Sequence, residues 1–108
     1  MEQPLGEWSV CNLGHIPLPM YTTGTTIGEY SVDWGHLEWA VKTAVRFQDN
    51  IIDYTKYFLP ENEEVQKSER RIGIGTLGLG TMLIQLGIRY GSEQCNSFLN
   101  LLYSNIAK

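Results

Sequence analysis

The sequence predicts a mostly helical α+β fold: helices from the middle of the chain onward, preceded by a short strand or hairpin. Three observations carry this. Prolines at 4, 17 and 19 and glycines at 6, 14, 24 and 28 break the first 32 residues. Proline inside a helix removes a hydrogen bond and clashes with the preceding turn, so no long helix fits there. From Asp33 the apolar residues recur at three- and four-residue steps, the period of an amphipathic helix. Two further apolar stretches, 76–86 and 98–106, are each bounded by glycine or serine.

In chain order, Trp8-Ser9-Val10-Cys11-Asn12-Leu13 alternates roughly between apolar and polar, as a half-buried strand does. Residues 21–28, with four threonines and two glycines, suit a loop or short edge strand. Asp33 is a good N-cap. Trp34, Leu37, Val41, Ala44, Val45, Ile51 and Ile52 form one apolar stripe running to about Tyr54. Glu38, Lys42, Arg46, Gln48 and Asp49 fall on the polar side, with Glu38 and Lys42 in the favourable i,i+4 order. Leu59 precedes Pro60, which resists helical backbone, so the segment ends there. Residues 61–71 hold seven charges in eleven positions, a solvated stretch or short helix. Thr76 to Leu86 is expected to be a mostly buried helix closed by Gly87. Gly91 breaks the chain again, and Ser92 caps a last helix carrying Phe98, Leu101, Leu102 and Ile106. No repeat, linker or second domain is visible in residues 1–108, so a single domain is expected.

Composition excludes several functions. Eight basic against twelve acidic residues give a net charge of -4, the opposite of a nucleic-acid footprint. No apolar run reaches the roughly 18 residues of a membrane span, and the Met1-Glu2-Gln3-Pro4 start has no secretory character. Two cysteines make no disulfide scaffold, so a reduced, cytoplasmic setting is expected.

Candidate sites must be weighed against plainer roles. Gly73-Ile74-Gly75-Thr76-Leu77-Gly78 spells the dinucleotide fingerprint GxGxxG. That fingerprint needs a buried strand before it, and Lys67-Ser68-Glu69-Arg70-Arg71 is not one. Glycines that let a helix start and pack closely account for the run better, since Gly73, Gly80 and Gly87 stand seven residues apart. Cys11, Cys95, His15 and His36 have no metal-ligand spacing. His36 reads as a surface residue in a first helical turn. Cys95 reads as a structural thiol inside a helix. Arg70 and Arg71 could hold a phosphate but read better as a helix-end pair. Glu2 taken alone would be a surface carboxylate, and Cys11 taken alone a structural thiol.

Three ordered blocks change that reading. Glu2-Gln3-Pro4-Leu5 with Cys11-Asn12-Leu13-Gly14 resembles the segment just after the catalytic cysteine of ribonucleotide reductase large chains, closest to the adenosylcobalamin-dependent class II branch. Asp33-Trp34 through Val45-Arg46-Phe47 and Asp49-Asn50-Ile51-Ile52-Asp53 resembles the family's next helix. Arg70-Arg71-Ile72-Gly73-Ile74-Gly75 through Leu83-Ile84-Gln85-Leu86-Gly87-Ile88 and Tyr90-Gly91-Ser92 resembles a third block, in the same order. The resemblance implies an internal fragment of the reductase's catalytic α/β barrel.

It also implies catalytic roles for Glu2 and Cys11. The family pattern Asn-x-Cys-x-Glu puts its glutamate, a general acid/base at the ribose 3′-hydroxyl, on Glu2. The family's radical cysteine would stand two residues before Glu2, where this chain has no position, and the Asn is missing too. Cys11 falls where the family has one thiol of the pair that reduces the ribose 2′-position. The nine-residue step from Glu2 to Cys11 resembles the cobalamin-dependent branch. Two departures stand out: His15-Ile16-Pro17 where the family often has Ser-Ile-Asn, and Gly6-Glu7-Trp8-Ser9-Val10 in place of a Pro-Pro-Tyr-rich stretch.

The resemblance thus implies an oxidoreductase of deoxyribonucleotide synthesis, inactive as an isolated fragment. Its partners would be a ribonucleotide, a thioredoxin-like reductant and the remaining reductase segments, and the cofactor adenosylcobalamin in the parent enzyme, with none bound by this chain. Neither DNA nor a membrane is an expected partner. Exposed apolar stripes point to a homo-oligomer. The competing reading is a helical interaction module without chemistry.

Overall fold

A computed structural model describes residues 4–108, which fall into two compact units: residues 4–14 with 43–75, and residues 15–42 with 76–108. Along the chain the elements are β1 (Asn12–Pro17), a 3₁₀ turn (Leu18–Tyr21), β2 (Thr22–Thr23), β3 (Ser31–Val32), α1 (Trp34–Tyr54), α2 (Pro60–Glu69), β4 (Ile72–Leu77), α3 (Leu79–Gln85) and α4 (Glu93–Ile106). Helix dominates, as the sequence predicts. The strands form two two-stranded sheets, β1 with β4 and β2 with β3, and no closed barrel among the described residues.

In the first unit the carboxyl-terminal half of α1 and α2 flank the beginnings of β1 and β4. α2 starts on Pro60 at its first position, with Glu61 and Glu63 in the first turn, an arrangement that suits both the missing N–H and the helix dipole. It ends at Arg70, which takes the left-handed conformation at φ 49°. Such a backbone is uncommon for a residue with a side chain, and the guanidinium is anchored by four bonds to α1. It donates to Asp49 Oδ1 at 2.8 Å and the Asp49 carbonyl at 3.1 Å, and to both Asp53 oxygens at 3.0 Å. Ile52, Gln66 and Gln48 are the buried side chains here. Two of the three are amides, and both bond backbone: Gln66 that of Val10, just before β1, and Gln48 that of Gly73 in β4.

The second unit holds the larger core: Leu18, Leu37, Met82, Leu83, Cys95 and Leu102 are almost fully buried. Asp33 caps α1, accepting from the His36 N–H at 2.9 Å. Ser92 caps α4, accepting from the Cys95 N–H at 3.1 Å. β2 and β3 pair antiparallel, Thr22 opposite Val32 and Thr23 opposite Ser31. α3 closes on Gly87 at φ 67°, with the Gly87 N–H on the Ile84 carbonyl and the Ile88 N–H on that of Leu83. This is the glycine-terminated end expected from the sequence.

Three sequence expectations are corrected. The first strand is Asn12–Pro17, not 8–13, because Trp8 sits in a turn at φ 62°. The expected buried helix 76–86 starts only at Leu79; the preceding residues from Ile72 are β4. Gly73, Gly80 and Gly87 therefore share no helical face, since they lie in a strand, in a helix and beyond its end. Ile72, Ile74 and Thr76 are β-branched and suit a strand better than the glycines between them suit a helix. Finally, Gln48, placed on the polar side of α1, is 6 % exposed.

Candidate functional site around Cys11

Cys11 lies in the first unit at the entry to β1, half-buried and unbridged. The stretch leading to it is tied down one residue after another. Ser9 Oγ donates to Glu69 Oε2 at 2.6 Å, and the Val10 N–H donates to Gln66 Oε1 at 3.1 Å. Asn12 Nδ2 donates to the Gln48 carbonyl at 3.2 Å. The Asn62 amide adds a bond to the Trp8 carbonyl at 2.8 Å. Gln66 is 1 % exposed, so its bond to Val10 satisfies an oxygen that burial would otherwise leave costly.

Side chains alternate across a strand. Asn12 bonds α1, and a Cβ on Gly14 would come within 2.8 Å of Gln48 Nε2, so these two positions face α1. Cys11 and Leu13 therefore face the opposite way, and Leu13 is 65 % exposed. On that open side lies Gly73. A Cβ there would stand 2.7 Å from Leu13 Cδ2, 3.6 Å from Cys11 Sγ and 3.8 Å from the Asn12 carbonyl oxygen. Gln48 Nε2 donates to the Gly73 carbonyl at 3.1 Å. One side chain of α1 thus holds β4 at Gly73, while the same residue's carbonyl holds β1 at Asn12. Gln48 Oε1 has no partner among the described residues.

Arg71 brings a charge to this part of the unit. Its Nε donates to Glu69 Oε2 at 2.6 Å, and this bond is the main reason its affinity for the proton is raised. The negative charge of a Cys11 thiolate adds a smaller increment, so the guanidinium stands within electrostatic reach of the sulfur. The Glu69 carboxyl is held below its ordinary value, first by Arg71 and then by Ser9. Arg70 and Arg71 do end a helix, as the plainer reading had it, and both are paired with carboxylates.

Glu2 lies outside the described residues. Cys95 is 1 % exposed in α4. His36 packs edge-on against Tyr21 at 5.1 Å and beside Trp39 at 5.9 Å. No cluster of three or more potential metal ligands occurs among the described residues. The dinucleotide fingerprint fails on its frame: Gly73 and Gly75 lie inside β4 rather than after it. The described residues include two surface depressions. One of about 260 Å³ is lined by Trp34, Leu37, Val41 and Ile106, with Glu38 and Lys42 at its edge. The other, about 470 Å³, is lined by Phe47, Ile51 and Tyr54 among others. Neither is lined by Cys11. No described helix is long and apolar enough to cross a membrane.

Sequence reasoning singled out Cys11 but missed Gln48, Gln66 and the closeness of Gly73 to the thiol. A signal existed for Gln48, which stands seven residues after Val41 and four before Ile52, on the buried stripe.

Comparison with known proteins is informative at this point. The family described as "Ribonucleotide reductase, barrel domain" matches residues 1–108. The vitamin B12-dependent ribonucleoside-diphosphate reductase of Mycobacterium tuberculosis (strain CDC 1551 / Oshkosh) is 41% identical over 93 residues, 86% of this chain and 13% of that protein. The protein of the same name from Thermoplasma acidophilum is 37% identical over 106 residues, 92% of this chain and 13% of the relative. The ribonucleoside-diphosphate reductase subunit alpha of Chlamydia pneumoniae is 32% identical over 92 residues, 85% of this chain and 8% of the relative. The chain therefore spans about one eighth or less of these relatives.

Proposed function

The chain belongs to the ribonucleotide reductase barrel-domain family, and from that premise we propose that it forms part of a catalytic subunit reducing ribonucleoside diphosphates to deoxyribonucleotides by thiyl-radical chemistry. Cys11 is one of the two reducing thiols in this reading, and Glu2 the general acid/base beside the ribose. The observation that carries the proposal is the family match over all 108 residues. What supports Cys11 in particular is its setting: a half-buried thiol on the open side of β1, beside a residue without a side chain. A structural thiol would resemble Cys95, sealed inside a helix.

The overall change balances. The 2′-hydroxyl leaves as water, two thiols are oxidised to a disulfide, and their two electrons and two protons appear in the deoxyribonucleotide and the water. A carboxylate beside the sugar can give and take the proton that this requires. A thioredoxin-like partner of the parent enzyme then returns the disulfide to two thiols.

Adenosylcobalamin is the cofactor proposed for the parent enzyme, where it supplies radical chemistry. The residues described do not fit it. The groove beside Trp34, about 260 Å³, falls below the roughly 300–1,000 Å³ of drug-sized ligand sites, and a corrinoid is larger still. The depression at Phe47 is formed by one face of α1. No described residue is therefore assigned to the cofactor.

The test is a graft. Residues 4–108 replace the matching segment of the Mycobacterium relative, and deoxynucleotide formation is assayed. The graft should turn over; its Cys11→Ser variant should lose at least about a hundredfold, in the range attributed to groups that act directly in the chemistry, and Cys95→Ser should not. A Cys11→Ser graft as active as its parent would refute the assignment. The 108-residue polypeptide by itself should form no deoxynucleotide.

A further inference from the structure

We propose that Gly73 is a positioning residue for Cys11: its missing side chain keeps open the approach to Sγ that a second sulfur needs, and Gln48 holds it in register. The proposal rests on the reading of Cys11 as a redox thiol, and it extends that reading to β4 and α1, which carry no reacting group.

Space around the sulfur is the first requirement. A disulfide needs sulfurs about 2.05 Å apart and the two Cβ atoms about 3.5–4.5 Å apart. Both the incoming sulfur and its Cβ must therefore enter the shell immediately around Cys11 Sγ. A Cβ on residue 73 would lie 3.6 Å from Sγ, in van der Waals contact with it, and so would occupy one side of the sulfur. It would also meet Leu13 Cδ2 at 2.7 Å, closer than carbon atoms pack. Leu13 is exposed and would swing aside, and the side open to it is the one that Cys11 shares. Any side chain at 73 thus covers one side of the sulfur and displaces a leucine beside it.

Register comes next. The clearance is useful only if β4 cannot slide, because a shift of one residue would turn Ile72 or Ile74 toward the sulfur. Gln48 prevents this. Its Nε2 takes the Gly73 carbonyl at 3.1 Å, and its own carbonyl takes Asn12 Nδ2 at 3.2 Å, one residue from Cys11. Arg70, three residues before Gly73, fixes where β4 starts through its bonds to Asp49 and Asp53. One stretch of α1, residues 48–53, therefore brackets the thiol through both strands.

Native-state alkylation of the 108-residue chain, read residue by residue in a mass spectrometer, tests this with two reagents: small iodoacetamide and bulky pyrenyl maleimide. The background is Leu13→Ala, which removes the leucine conflict and touches an exposed residue. Adding Gly73→Ala should slow the maleimide at Cys11 about tenfold relative to iodoacetamide, equivalent to about 1.4 kcal/mol in barrier. General loosening would instead speed both reagents and expose Cys95. A maleimide-to-iodoacetamide ratio at Cys11 unchanged within about twofold overturns the proposal, as does a parallel rise at Cys95. Gln48→Leu, which keeps the bulk and loses both side-chain polar atoms, should alter the Cys11 ratio without exposing Cys95; an unaltered ratio removes Gln48 from the bracket. The graft with Cys11→Ser tests the redox role separately, so either reading can fail alone.

Discussion

Replacing Gly87 by alanine should cost about 2–3 kcal/mol of stability, and the structure shows where each part arises. Gly87 ends α3 at φ 67°. A residue with a Cβ pays roughly 1–2 kcal/mol for left-handed backbone. The new Cβ would also stand 2.9 Å from the Cα of Gly28, a backbone atom that no rotamer change can move away. Gly28 must then retreat, although its N–H donates to the Gln85 carbonyl at 2.8 Å. Stretching that bond forfeits part of the roughly 0.5–1.5 kcal/mol such a bond contributes. Gly91 is the control: it has φ 78° but nothing within 4 Å of a built Cβ. Gly91→Ala should therefore show the strain alone, about 1–2 kcal/mol. Gly80, in α3 with open space around it, should go the other way, Gly80→Ala stabilising by about 0.5–1 kcal/mol. Urea unfolding with a shared slope gives all three values. Equal losses for Gly87→Ala and Gly91→Ala would refute the claim that the α3 terminus is packed against Gly28.

The remaining predictions are brief. Unmodified chain treated with iodoacetamide should be labelled at Cys11 well before Cys95, since Cys95 is 1 % exposed; Cys95 reacting first would leave the assignment of Cys11 to the family resemblance alone. Arg70 holds the Asp53 carboxyl below its ordinary 3.8, and Arg71 with Ser9 holds Glu69 below 4.5. Folded-state values that are depressed contribute stability above the ordinary values and lose it as pH falls through and below them. Thermal unfolding should thus show an acid limb beginning near those values, and Arg70→Gln should flatten it; an identical limb would exclude the Asp53 pair as a source. Trp39 is 62 % exposed, Phe47 64 % and Phe58 96 %, and large exposed apolar surface favours association. Light scattering should give a dimer or larger, and a clean monomer at high concentration would count against it.

The helices were legible because their signals are local. Asp33 and Ser92 are caps whose side chains can reach the first free N–H groups, and both do so. Gly87 followed an apolar run, and a glycine there permits the left-handed turn that closes α3. β4 was not legible for the opposite reason. Its first five residues alternate β-branched side chains with glycine, a pattern that by itself specifies neither strand nor helix. What makes it a strand is pairing with β1, some sixty residues earlier in the chain. A two-stranded ladder of that separation leaves no periodic mark on either segment taken alone. The same holds for the first strand, where the alternation in 8–13 was real but the Trp8 turn delayed its start.

Cys11 could be named from sequence because its type and neighbours resemble a known pattern, whereas its surroundings could not. Gln48 and Gln66 are polar, and composition assigns polar residues to solvent. In this fold their amides meet backbone: Gln66 takes the N–H of Val10, and Gln48 the carbonyl of Gly73. Each bond gives a nearly buried amide a backbone partner, and burial without one would be costly. A hydrophobic residue at either position would fill the same volume and lose the bond that ties α2 to the approach to β1, or α1 to β4. The buried position of Gln48 on the stripe of Val41 and Ile52 goes with the passage of β4 beside it, a neighbour from another part of the chain that leaves no mark on the sequence of α1.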